Sequence, residues 1–262
     1  MIDFLKESTF AVNEVITKAW QVTKRNYFSI ATLSFLMFIT SFASGLMAFF
    51  LKDVNWALRA AMAFIFIMFF FTINLSLFRY IFHLLDDEEH DVSIVSTIPT
   101  RQHIIRFLIA TLYFFLCIIG VYSVIMILGL PFVYLGIDME KVSSIAIPVG
   151  LVAIFITWIR ISFFPFFILD KNLSSFASIK YSLATTKGNF TKILLLLLVL
   201  GGFHLLYLFF SFIHWPFVAF GVNILSSFLV VPLSSVALTV AYRKMMLEYQ
   251  NEGEPDIIHN IV

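Results

Sequence analysis

Six long apolar runs, at 27–51, 56–85, 104–130, 142–169, 190–213 and 217–242, decide what this chain can fold into. Each is longer than the roughly 18–20 residues a helix needs to cross about 30 Å of hydrocarbon. Lipid offers backbone groups no hydrogen-bond partners, so unbroken apolar runs of this length must satisfy them internally, as helices. With 61% hydrophobic residues, 13% charged residues and 33 phenylalanines, little is left from which to build a water-soluble domain. The two longest loops hold about twenty residues each, well short of what an independent core requires. The expected fold is an all-α integral membrane protein, its six transmembrane helices arranged as three hairpins. Residues 1–26 then form an N-terminal interfacial segment, 27–242 the membrane domain and 243–262 a polar tail.

Charge placement sets the expected orientation. With both termini on one side, 14 of the 17 lysines and arginines fall on that side, and only Lys52, Arg59 and Lys141 fall on the other. The positive-inside rule makes the basic side cytoplasmic, and an even number of crossings agrees with it. A net charge of +1 gives no footprint for nucleic acid. The single Cys117, mid-span, has no partner for an intrachain disulfide and reads as a small apolar residue. No secretory signal stands out ahead of the full-length first span.

Two amphipathic segments precede spans. From Thr9, the residues Val12, Val15, Ile16, Ala19, Trp20 and Val22 share one helical face, opposite Asn13, Glu14, Thr17, Lys18, Gln21 and Lys24, a pattern suited to the membrane interface. The second segment precedes the fifth span. Ser174, Ser178, Ser182 and Thr186 stand four apart and form one ridge of small hydroxyl side chains. Leu173, Phe176, Ile179 and Leu183 lie on the other side with Lys180 and Lys187. This predicts a helix along the inner leaflet, its ridge docked on the bundle and its lysines reaching anionic headgroups. Asn172 or Ser174 would cap its start, and Gly188 would take a left-handed conformation after its end. The segments close on TKRNYF (Thr23–Phe28) and TKGNF (Thr186–Phe190), a short internal repeat at the mouths of two hairpins.

Pro165, Asp170, Ala177, Ser182, Lys187 and Gly188 together resemble the membrane domain of membrane-anchored glycerophosphodiester phosphodiesterases and its stand-alone bacterial relatives. The soluble phosphodiesterase domain is absent, so no catalytic residue carries over. The resemblance implies a six-helix module of the bacterial cytoplasmic membrane, concerned with lipid or envelope, and supplies no reaction.

Polar residues within the spans are the remaining candidates. All 16 acids fall outside the span centres, which weighs against proton- or cation-coupled transport. Arg79 and Arg160 lie near the inner ends of the second and fourth spans, where they could bind an anionic headgroup or simply snorkel. The nearest acids predict ion pairs of Arg79 with Asp86 or Asp87, and of Arg160 with Asp170. Asn74, His204 and Asn223 are expected to bond helices together within the membrane, or less readily to line a polar pocket. Pro131 and Pro232 are expected to kink their helices. His83, Asp87 and His90 have i, i+4, i+7 spacing, but acids at a helix C-terminus oppose the macrodipole, so a solvated loop is the better reading than a metal site.

No Ser-His-Asp order, glycine-rich phosphate loop, HExxH or CxxC occurs. The expectation is a non-enzymatic protein without cofactor or metal that works by helix packing and by inner-leaflet contact with membrane lipids or a membrane-protein partner. The alternative is a transporter or lipid-handling protein whose cytoplasm-facing cleft binds an anionic headgroup near Arg79 and Arg160.

Overall fold

The computed structural model describes residues 10–52, 54–86 and 94–251. It is helical almost throughout: α1 (Val12–Arg25), α2 (Tyr27–Phe50), α3 (Trp56–Asp86), α4 (Arg101–Tyr134), α5 (Met139–Ile161), α6 (Phe164–Asp170), α7 (Ser175–Lys187), α8 (Phe190–Phe212), α9 (Pro216–Leu225) and α10 (Val231–Asn251). A π turn, Ser226–Val230, joins α9 to α10, and a short 3-10 turn, Ile94–Thr97, precedes α4. Six stretches are long and apolar enough to cross a membrane, Tyr27–Phe50, Trp56–Asp86, Arg101–Tyr134, Met139–Asp170, Phe190–Phe212 and Pro216–Leu247. This is an all-α polytopic membrane fold. Each consecutive pair packs as a hairpin: α2 with α3, α4 with α5, and α8 with α9 and the π turn that follows it. The end that carries α1, α7 and the last turns of α10 is called the basic end below; the opposite end, with the three hairpin turns, is the turn end.

Two helix breaks follow from proline chemistry. Pro165 has no N–H and stands at the start of α6, where the fourth span bends away from α5. Pro232 has no N–H to offer the Phe228 carbonyl one turn back, and the sixth span widens there into the π turn. Tyr27 at the start of α2 donates its hydroxyl to that carbonyl at 3.0 Å. Pro131, by contrast, lies within α4, which continues to Tyr134, where Gly136 at φ +88° turns the chain. The sixth helical stretch runs on to Asn251, so the segment read as a polar tail begins as helix.

The amphipathic α1 buries Val15 and Ala19 completely. Their neighbour is α10, with Glu14 paired to Lys244. The apolar face that a sequence would assign to lipid is therefore used on protein, and Trp20 points outward, 47% exposed. Glu14 in its first turn and Lys24 and Arg25 in its last complement the helix dipole, and the Lys244 ammonium holds the Glu14 carboxyl below the usual carboxylate range.

The internal repeat has a structural counterpart. Asn26 and Asn189 each sit at the corner between a short helix and a span, and each Nδ2 donates to a carbonyl four residues back, Val22 or Thr185, at 3.3 Å. Their backbones match, φ −118° and ψ 28° against φ −107° and ψ 5°. Gly188 is right-handed at φ −76°, so the corner rests on the Asn189 side chain and not on a left-handed glycine.

Burial is concentrated at the basic end. The main core gathers Ile30 and Leu33 of α2, Leu77 to Phe82 of α3, Phe163, Phe166 and Phe167 around α6, Ile193 and Leu196 of α8, and Val236 to Met245 of α10. A second cluster, from Leu75, Phe107, Ala110, Ile161, Phe164, Ile168 and Ile179, joins the first two hairpins. Towards the turn end, only Ala146, Gly150 and Ala219 are buried among the described residues. There α4 and α5 approach closely where a Cβ on Gly150 would meet the Tyr122 ring at 3.2 Å. Nearer the turn they approach again, a Cβ on Gly129 meeting Val142 Cγ1 at 3.0 Å, beside an apolar surface cleft of about 450 Å³ lined by Ile125, Leu128, Phe132, Val142 and Ile145. The three hairpins are thus tied at one end and open towards the other.

Candidate functional site

The tie is built from the three returning helices, α3, α5–α6 and α10. Each contributes an aromatic ring: Phe82, Phe166 and Tyr242. The ring centroids lie 5.9 Å (Phe82–Phe166), 5.7 Å (Phe82–Tyr242) and 5.3 Å (Phe166–Tyr242) apart, and Phe78 packs against Phe166 at 4.6 Å with the rings tilted by 49°. Such pairs add about 0.5–1.5 kcal/mol each beyond the area they bury. Each helix also contributes a charge above the rings. Arg243 donates Nη1 to Asp170 Oδ1 at 2.9 Å and Nη2 to Asp86 Oδ2 at 2.5 Å, with its guanidinium 4.6 Å from the centre of the Phe82 ring. The Tyr242 hydroxyl donates to Asp170 Oδ2 at 2.9 Å, and Lys171 Nζ lies 3.7 Å away. Phe82–Asp86 and Phe166–Asp170 have the same i, i+4 spacing, which stacks ring under carboxylate on each helix.

The pairing predicted from nearness in sequence is overturned. Asp170 belongs to Arg243 and not to Arg160, and Asp86 belongs to Arg243 and not to Arg79; Asp87 lies outside the described residues. The sequence signal for Arg243 is the Tyr-Arg-Lys that follows the sixth span, facing two span-terminal acids that need a cation. It was masked because the residue falls where the apolar run has ended.

Arg79 and Arg160 instead hold the segments that follow their own helices. Arg79 Nη1 donates to the Ile98 carbonyl at 3.0 Å, just after the 3-10 turn. Arg160 Nη2 donates to the Leu183 carbonyl of α7 at 2.8 Å. Lys244 does the same for α1 through Glu14. Each returning helix therefore sends one cation to the segment seated on it, and the three hairpins repeat one plan in a ring. Arg79 and Arg160 thus donate to different backbones, at Ile98 and at Leu183.

Two members of the hydroxyl ridge, Ser182 and Thr186, are buried at the Pro165 break, whereas Ser174 is exposed. Ser182 Oγ accepts from the Phe163 N–H at 3.1 Å and donates to the Arg160 carbonyl at 2.8 Å. Thr186 Oγ1 donates to the same carbonyl at 3.1 Å and to its own Ser182 carbonyl at 2.7 Å. In an unbroken helix that N–H and that carbonyl would find partners within the ladder. Ser182 replaces both. Ser174 is the N-cap of α7, accepting from the Ala177 N–H at 3.4 Å, and the fully buried Ser178 bonds within its own helix to the Ser175 carbonyl. On the opposite face Phe176 is 57% exposed beneath Lys180 Nζ, 5.1 Å from its ring, and Lys187 is also turned outward. Ile179 departs from the expected outer face and is buried in the second core cluster.

The intramembrane polar trio is not assembled. Asn74 reaches only Met37 Sδ, at 3.9 Å. His204 lies on the outer surface against Tyr207, and Asn223 is exposed on α9, so neither bonds helices together. Their depth was legible, but the rotation of so uniformly apolar a helix was not. Ser227, Ser235 and Thr239 bond to carbonyls of their own helical segment four residues back. Cys117 is exposed on the surface. His83 is on α3, while Asp87 and His90 lie outside the described residues; among the described residues no group of three His, Cys, Asp or Glu is placed to hold a metal ion. No family model matches the chain, and no curated protein or solved structure does.

Proposed function

We propose that this is a non-enzymatic protein of the bacterial cytoplasmic membrane, with its basic end in the inner leaflet and both termini cytoplasmic, acting as a packing scaffold that contacts inner-leaflet lipid and membrane-protein partners. The observation that carries this reading is α7, fixed to the bundle by its hydroxyls while Phe176 and Lys180 face outward. An aromatic ring under an ammonium, on the outer face of a helix at the basic end, matches the acyl–headgroup boundary of an anionic leaflet. The excess of cations at this end supplies the orientation.

A spin label tests the placement. With Cys117→Ala removing the native thiol, a label at Phe176→Cys in phosphatidylglycerol-containing bilayers should collide more with oxygen than with a nickel chelate, at a depth within roughly 5–10 Å of the headgroup boundary. A label as open to the nickel chelate as one on the exposed Lys171 would remove α7 from the membrane interface and the reading with it.

A further inference from the structure

Where the first hairpin meets the second, at the basic end, three cationic or cation-capable side chains converge. Arg79 of α3 reaches across to the Ile98 carbonyl. His103 stands in the first turn of α4, one turn before Arg106, and the guanidiniums of Arg79 and Arg106 both act on its imidazole. Arg106, one turn on, holds the loop before α7 through Nη1, which donates to the carbonyl and Oδ1 of Asn172 at 2.5 Å and to the Leu173 carbonyl at 3.5 Å. Ser175 in turn donates to the Arg106 carbonyl at 2.9 Å. The backbone of Asn172 is left-handed, φ 51°, which an asparagine tolerates, so the loop's shape is matched to this grip.

Three features of the seam are unexplained by packing alone. Two guanidiniums are gathered around one imidazole although like charges repel, and among the described residues neither forms an ion pair with a carboxylate. Both guanidiniums bond through Nη1 only, leaving further donors of each fork unused. His103 Nδ1 is buried with no hydrogen-bond partner. The seam is held in place from below by Leu75, one turn before Arg79, and by Phe107, beside Arg106, both in the second core cluster. The rigid base keeps the donors converged without an anion present.

We propose that Arg79, His103 and Arg106 form a clasp for a phosphate group, presented by an anionic phospholipid of the inner leaflet. The proposal rests on the membrane placement given above and adds the ligand's chemistry and its site. A phosphodiester spreads one negative charge over two non-bridging oxygens, one for each fork, with an ester oxygen as a weaker acceptor for the imidazole N–H, an arrangement for which guanidinium is suited and ammonium is not. It would also offset part of the gathered charge at the N-terminal end of α4.

The test is native mass spectrometry of the full chain, delipidated in mild detergent and titrated with phosphatidylglycerol, with phosphatidylcholine and inorganic phosphate in parallel. The unmodified protein should take up one phosphatidylglycerol per chain. Arg79→Gln and Arg106→Gln should each weaken that uptake by about tenfold or more, from the loss of one charge-assisted fork. Arg79→Lys and Arg106→Lys, which keep the charge and guard against misfolding of the glutamine variants, should fall between. Arg101→Gln, an exposed arginine two residues from His103, should change nothing. If inorganic phosphate competes at millimolar concentration, with the same rank of variants, the clasp stands and its ligand is soluble. Uptake unchanged in both glutamine variants would overturn the clasp while leaving the interfacial placement to the spin-label result. No uptake of either probe by the unmodified protein would overturn it also.

Discussion

Arg243→Met is expected to cost about 2–3 kcal/mol of stability, the larger of the two largest effects in this protein. The substitution keeps an unbranched apolar stem over the Phe82 ring and removes the charge that bridges two returning helices. Asp170, with its side chain 11% exposed, is left with the Tyr242 hydroxyl and a distant lysine. Breaking a fully buried pair costs roughly 3–5 kcal/mol, and the 27% exposure of the Arg243 side chain lowers that figure. Asp86, whose side chain is 54% exposed, regains water, so Asp86→Asn alone should cost little, about 0.5 kcal/mol or less. Because the penalty is an uncompensated carboxylate, Arg243→Met with Asp170→Asn should recover more than half of the loss. Reversible unfolding of the four proteins in mixed micelles measures this. A double variant no better than Arg243→Met would mean that the arginine contributes packing and not charge.

Ser182→Ala comes second, at about 2 kcal/mol. Its hydroxyl is the acceptor for the Phe163 N–H, and Phe163 is wholly buried, so the alanine leaves a donor with neither protein nor water. The Arg160 carbonyl is protected, since Thr186 still donates to it. The rest of the ridge should therefore grade down: Thr186→Val about 1 kcal/mol, Ser174→Ala about 1 kcal/mol for a lost N-cap, and Ser178→Ala close to neutral because its bond is only within α7. If the break exists because Pro165 has no N–H, then Ser182→Ala should cost less in a Pro165→Ala background, where the span can close more of its own ladder. Equal cost in both backgrounds would separate the serine from the break.

These two positions also mark what could and could not be read from the chain. The spans were legible because nothing but a helix can carry so many apolar residues through lipid, and their ends agree with the structure to within a few residues. Ser182 was legible because the i, i+4 spacing of small hydroxyls is a helical signal, while the break at Pro165 was not anticipated. Its partners were not, since periodicity gives a face but not what the face meets. The same ambiguity hid the burial of α1, whose apolar stripe would serve lipid or α10 equally well. Arg243 was hidden differently. Pairing charges by nearness in sequence assigned Asp170 to Arg160, ten residues away, when the bundle brings Asp170 together with a residue 73 positions on. His204 and Asn223 failed for want of contrast, because a helix apolar on every side gives no hint of which way it is turned.

The central claim is that three hairpins are joined by their returning helices at the basic end and are held more loosely beyond it. Double electron–electron resonance on labelled pairs in lipid nanodiscs tests it most directly, with Cys117→Ala as background. Labels at the exposed His83 and Lys171, on the first and second hairpins at the basic end, should give one narrow distance distribution. Labels at Asn55 and Leu135, on the turns of the same two hairpins, should give one roughly twice as wide, since few buried contacts tie them. Adding Arg243→Met should broaden the His83–Lys171 distribution towards the other. Equal widths at the two ends in the parent protein, or a basic-end distribution indifferent to Arg243→Met, would contradict the account.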